Sequence, residues 1–65
     1  MKTIKLTSNF RGRRETFLIP VTNIALIAPI KETEDGNINR IYFQNGEVSY
    51  LNIAETIDKI SNLLN

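Results

Sequence analysis

The chain has 65 residues, a formal net charge of +1, no cysteine and no histidine. Such a length supports one small domain that buries only about 60% of its unfolded surface. The missing cysteines exclude a disulfide framework and thiolate metal sites, and the missing histidines remove the commonest general base and metal ligand.

Taken in order, Ile4 and Leu6 point one way and Thr3, Lys5 and Thr7 the other, which predicts a first strand with one wet face. Thr16 to Ile19 supply a second strand. The polar, glycine-containing stretch Ser8 to Arg14 between them reads as a hairpin loop. Pro20 to Asn23 predicts a bend. Ile24 to Ile30 then reads as a third strand, apolar on both faces, with Ile24, Leu26, Ala28 and Ile30 set against Ala25 and Ile27. A strand of that kind needs cover on each side.

Glu32 to Asn37 is the turn into a fourth strand, and Asn45-Gly46 the turn into a fifth. Asn-Gly is the strongest short-range signal for a two-residue type I′ hairpin. It pairs Phe43 with Val48, Tyr42 with Ser49 and Ile41 with Tyr50. Ile41, Phe43, Val48 and Tyr50 then share the core side, and Arg40, Tyr42, Gln44, Glu47 and Ser49 the polar side. Asn52 with Glu55 three residues on resembles a capping box and predicts a helix from about Ile53. Ile53, Ile57, Ile60 and Leu64 form its apolar stripe, and Glu55, Asp58, Lys59 and Asn62 its solvent face. The predicted fold is α+β: a small antiparallel β-meander of about five strands with one C-terminal amphipathic helix packed on one face.

One helix covers one face only. Ile19, Ala25, Ile27, Tyr42 and Leu51 are left outside the predicted core, so either the meander curls toward a barrel or a second copy covers them. A dimer is the expectation, because small domains supplement a thin core by association.

Charge is unevenly spread. Residues 1 to 31 carry six basic groups against Glu15 alone, and residues 32 to 65 two basic against six acidic. Phe10, Arg11, Arg13 and Arg14 put an aromatic ring and three guanidinium groups on one hairpin loop, a composition suited to phosphates and bases or to an acidic protein surface. The balance of the whole domain is far from that of a dedicated nucleic-acid binder. Glu32, Glu34 and Asp35 lack the ligand number and spacing of a calcium loop, and Ser8, Ser49 and Ser61 have no histidine to activate them. No catalytic group, metal site or cofactor is expected. No apolar block approaches the 18 or so residues of a spanning helix, and Met1-Lys2-Thr3-Ile4-Lys5 alternates like a strand rather than a signal peptide. The expected address is cytoplasmic, without membrane contact.

Ile4-Lys5-Leu6-Thr7, the Asn45-Gly46 hairpin and Glu55-Thr56-Ile57-Asp58-Lys59-Ile60 together resemble the small flagellar and swarming-motility protein family, FlbD-like. That resemblance implies a small, strand-rich bacterial domain with an accessory or regulatory part and no cofactor. A looser likeness, in the order strand, glycine turn, strand, helix, is to the closing portion of LytTR-type DNA-binding domains. The expected function is therefore a non-enzymatic interaction or regulatory domain, dimeric and engaging a protein partner. The alternative is a weak nucleic-acid binder acting through Arg11, Arg13 and Arg14.

Overall fold

The computed structural model describes all residues from 1 to 65. Five antiparallel strands and one helix follow in the order β1 (Thr3–Phe10), β2 (Arg13–Pro20), a 3₁₀ turn (Val21–Asn23), β3 (Ile24–Pro29), β4 (Asn39–Phe43), β5 (Tyr50–Ile53) and α1 (Ile57–Leu64). The α+β class and the strand count agree with the pattern of the sequence. The strands do not form one meander or a closed barrel. β1 and β2 make a two-stranded sheet, and β3, β4 and β5 a three-stranded one.

The first hairpin is tighter than its composition predicts. Phe10 pairs with Arg13, leaving only Arg11 and Gly12 as the loop, at φ of 50° and 77°. Positive φ at both central positions is the requirement of a type I′ turn, which matches the twist of the strands it joins. Residues 8 to 10, 13 and 14 are therefore strand rather than loop.

The second hairpin is looser than predicted, and its register differs by one residue. Tyr42 faces Tyr50, Ile41 faces Leu51 and Asn39 faces Ile53. Asn45 lacks the positive φ of a type I′ turn, and its main chain is occupied elsewhere. The Asn23 carboxamide accepts from Asn45 N–H at 2.9 Å and donates to Asn45 C=O at 3.0 Å, while Gln44 N–H donates to Asn23 C=O at 2.9 Å. The loop is closed at its base by Phe43 N–H donating to Ser49 C=O at 3.0 Å and is anchored to the 3₁₀ corner as well. Because side chains alternate, this one-residue difference turns Leu51 and Ile53 inward and Tyr50 outward. Val48, expected in the core, lies in the exposed loop.

Six aliphatic side chains make the core: Ile4, Leu6, Ile19, Ile41, Ile53 and Ile60. They come from β1, β2, β4, β5 and α1, so the two sheets and the helix converge on one centre. In β3 a bulge between Ile24 and Leu26 lets Ile24 and Ile27 both pack against that centre and leaves Ala25 and Leu26 exposed. The helix starts later than predicted. Ile53 is still a strand residue, and the N-cap is Thr56, whose hydroxyl accepts from Lys59 N–H at 3.2 Å. The packed stripe is Ile60, Leu63 and Leu64, with Ile57 partly exposed. Lys2 Nζ donates to the Leu64 carbonyl at 2.8 Å, placing a cation on a free carbonyl at the negative end of the helix.

Three of the nine buried residues are polar, Asn37, Asn39 and Glu55, and they account for the seam between the sheets. β1 pairs with β2 along one edge only. On its other edge, Thr7 N–H donates to both Glu55 carboxylate oxygens at 2.9 and 3.1 Å, Thr7 Oγ1 donates at 2.6 Å, and Ala54 N–H donates to Thr7 C=O at 2.9 Å. Two residues on, the Asn37 carboxamide accepts from Asn9 N–H at 2.9 Å and donates to Asn9 C=O at 2.8 Å. The Glu55 and Asn37 side chains, with the Ala54 main-chain amide, supply the partners that a neighbouring strand would have supplied. Asn39 Nδ2 donates to the Glu55 carbonyl at 2.8 Å, while its own Oδ1 is buried without a partner in the protein. Glu55, predicted to face solvent, is only 8% exposed. Replacing it with alanine orphans the Thr7 amide, and Glu55→Ala is expected to cost about 2–3 kcal/mol in urea unfolding, with Thr7→Val losing less because the backbone bond survives.

Candidate functional site

The basic hairpin tip is preorganised by its turn and by the acidic loop beneath it. Asp35 Oδ1 accepts from the Arg11 main-chain amide at 2.9 Å. Asp35 itself belongs to a closed loop, in which Thr33 N–H donates to Asn37 C=O, Gly36 N–H to Thr33 C=O, and Asn37 N–H to Thr33 Oγ1. The basic and acidic segments singled out in the sequence therefore meet within one chain, through backbone rather than guanidinium.

Of the four tip residues, Phe10 is 60% exposed and Arg11 lies over its ring, 5.2 Å from the centroid. Arg14 Nε donates to Asn9 Oδ1 at 2.9 Å, and Arg13 is exposed. Phe10 and Arg13 share one side of the hairpin and Asn9 and Arg14 the other. The guanidinium groups are thus divided between the faces instead of forming one patch. Below the tip, between the hairpin and β5, lies an open cleft of about 460 Å³ lined in part by Phe10, Glu15, Phe17, Asp35 and Tyr50. Two carboxylates in its wall oppose an anionic occupant. Nowhere in the chain do three acidic groups gather closely enough to hold a metal ion.

The five residues read as an oligomer surface do not share one. Ile19 is in the core, and Ile27 and Leu51 pack against it. Tyr42 and Ala25 lie on the outer side, Ala25 as the extra residue of the bulge. The register accounts for the difference: with Leu51 turned inward, Tyr50 joins the outer face of the three-stranded sheet.

That outer face has an order the sequence reading missed. Cross-strand pairing aligns Leu26 with Tyr42 and Tyr50, and Ala28 with Arg40 and Asn52. The Arg40 guanidinium sits 4.2 Å from the Tyr50 centroid and 6.0 Å from that of Tyr42, and its Nε donates to Asn52 Oδ1 at 2.8 Å. The two tyrosine rings are 6.2 Å apart and tilted by 49°. Leu26 and Tyr50 remain 53% and 47% exposed. Tyrosine and arginine fixed in this way lose little freedom on binding and are the side chains that most often anchor interfaces. The available sequence signal was Arg40-x-Tyr42 against Tyr50-x-Asn52, visible only once the register is known.

Comparison with models of known protein families, with characterised proteins and with solved structures finds no match to this chain. No helix is long and apolar enough to cross a membrane. The arrangement at the tip yields its own expectation: in Asp35→Ala the Arg11 amide loses its acceptor, so its hydrogen exchange, followed by NMR, should accelerate markedly while the amides of β4 keep their protection.

Proposed function

We propose that this protein is a non-catalytic interaction domain that works as a dimer, with the outer face of the three-stranded sheet as the contact. The Arg40, Tyr42 and Tyr50 stack, bordered by Leu26 and covered by no other element, is the observation that carries this reading. Two further considerations support a second copy as the occupant. Six core aliphatics are a thin centre for 65 residues, and domains of this size gain stability by association. The face also holds both a guanidinium and aromatic rings, so two copies related by a two-fold axis offer each other a cation and a π-surface.

Sedimentation equilibrium tests it. The wild type should show a concentration-dependent dimer, and Tyr50→Ala should weaken it by about 2 kcal/mol, roughly thirty-fold in Kd. A wild type that stays monomeric at millimolar concentration removes the dimer reading.

A second reading, nucleic-acid contact through the tip, is favoured by the exposed Phe10 ring beside Arg11 on a rigid turn. Neutralising three phosphates gives a slope of about −2.7 in log affinity against log salt on duplex. Anisotropy of labelled oligonucleotides at two salt concentrations, with an Arg11, Arg13, Arg14→Ala variant alongside, should return that slope for the wild type and no binding for the variant. Absence of binding at low salt excludes this reading.

A further inference from the structure

We propose that the free edge of β2 is a docking site for an extended acidic segment of a partner polypeptide, added to the sheet as a further antiparallel strand. The first support is the hydrogen-bond phase of the hairpin. The main-chain groups of Thr7 and Asn9 are used on the side of β1 away from β2. By antiparallel alternation, Ile4, Leu6, Ser8 and Phe10 exchange bonds with Ile19, Phe17, Glu15 and Arg13. Arg14, Thr16 and Leu18 therefore aim both N–H and C=O outward, and β2 has no other neighbour in its sheet. Three successive outward pairs are a template for strand addition.

The second support is the surface beside that edge. A groove of about 350 Å³ runs between β2 and the 44–49 loop, with Phe17, Pro20, Phe43, Val48 and Leu51 in its wall. Leu18 borders the same groove and is 64% exposed. In strand addition, main-chain bonds supply affinity and pockets for alternate side chains supply specificity. Every second residue of an added strand would point into this groove.

Charge selects the occupant. Arg13 and Arg14 stand at one end of the edge and apolar Leu18, Ile19 and Pro20 at the other. A second copy of β2, paired antiparallel about Thr16, would give neither arginine a counter-charge and would set the two Glu15 residues diagonal to each other. A partner strand running antiparallel, apolar residues first and carboxylates last, places its carboxylates against Arg13 and Arg14 and its apolar side chains in the groove. This site lies on a different sheet from the proposed dimer face, so peptide binding and sedimentation report on the two readings separately.

The test uses the full chain and the fluorescein-labelled peptide Val-Thr-Leu-Thr-Ser-Glu-Glu, with a Gln-Gln ending as the neutral control. Saturable binding of the acidic peptide is expected, at least ten-fold tighter than the control and at least ten-fold weaker in Thr16→Pro. Proline there removes an outward N–H while sparing the bonds to β1, so the hairpin tolerates it. A second variant decides the matter without proline: Arg13→Glu with Arg14→Glu should lose the acidic peptide and gain one ending in Lys-Lys. No binding by the wild type at millimolar peptide, equal binding by folded Thr16→Pro, or indifference to the charge exchange would each overturn the proposal.

Discussion

The architecture depends on how the second edge of β1 is completed. A two-stranded hairpin is marginal alone, and β1 would present unpaired amides at Thr7 and Asn9 next to the core. Glu55, Ala54 and Asn37 remove that liability by bonding to those two residues as a neighbouring strand would. Two carboxylate oxygens and one carboxamide thereby tie the hairpin to the three-stranded sheet. The cost is a polar third of a small buried set, including an Asn39 oxygen with no partner in the protein.

Other features follow from this tie. Glu55 must reach Thr7 from an extended segment, which keeps Ile53 in β5 and moves the start of the helix to Thr56. Asn37 must reach Asn9, which draws the acidic loop under the hairpin tip and brings Asp35 to the Arg11 amide. The opposite charges of the two halves of the chain are thus placed side by side within one molecule. The contact uses the Arg11 main-chain amide, so it engages none of the tip's guanidinium groups.

The surfaces left open are of three kinds: a tip of arginines divided between two faces, an unpaired strand edge beside an apolar groove that shares Arg13 and Arg14 with the tip, and a tyrosine and arginine face. Each suits the recognition of another macromolecule better than the enclosure and activation of a small substrate. The proposed interaction role rests on where the chain places its few aliphatic side chains. With six at the centre, the helix covers one side of the three-stranded sheet and nothing covers the other.

Local pattern determined much of this. Ile4 and Leu6 against Lys5 define β1, Pro20 ends β2 at a corner, and Ile60, Leu63 and Leu64 at helical spacing define the face that packs. These are period-2 and period-3.6 signals carried by neighbouring residues, and they hold whatever the rest of the chain does. Local signals misled where two candidates compete within a few residues. Asn45-Gly46 has the composition of a type I′ turn, yet Arg11-Gly12 adopts one, because Asn45 is engaged by Asn23 from 22 positions away. Asn52 and Thr56 are both good caps, and the burial of Ile53 and Glu55 selects Thr56. The sequence by itself determined the class, the number of strands and the single helix, since these rest on periodicity. Only the tertiary structure decided the register of β5, the role of Glu55 and the Arg40 stack, because each depends on hydrogen bonds or contacts between residues far apart in the chain.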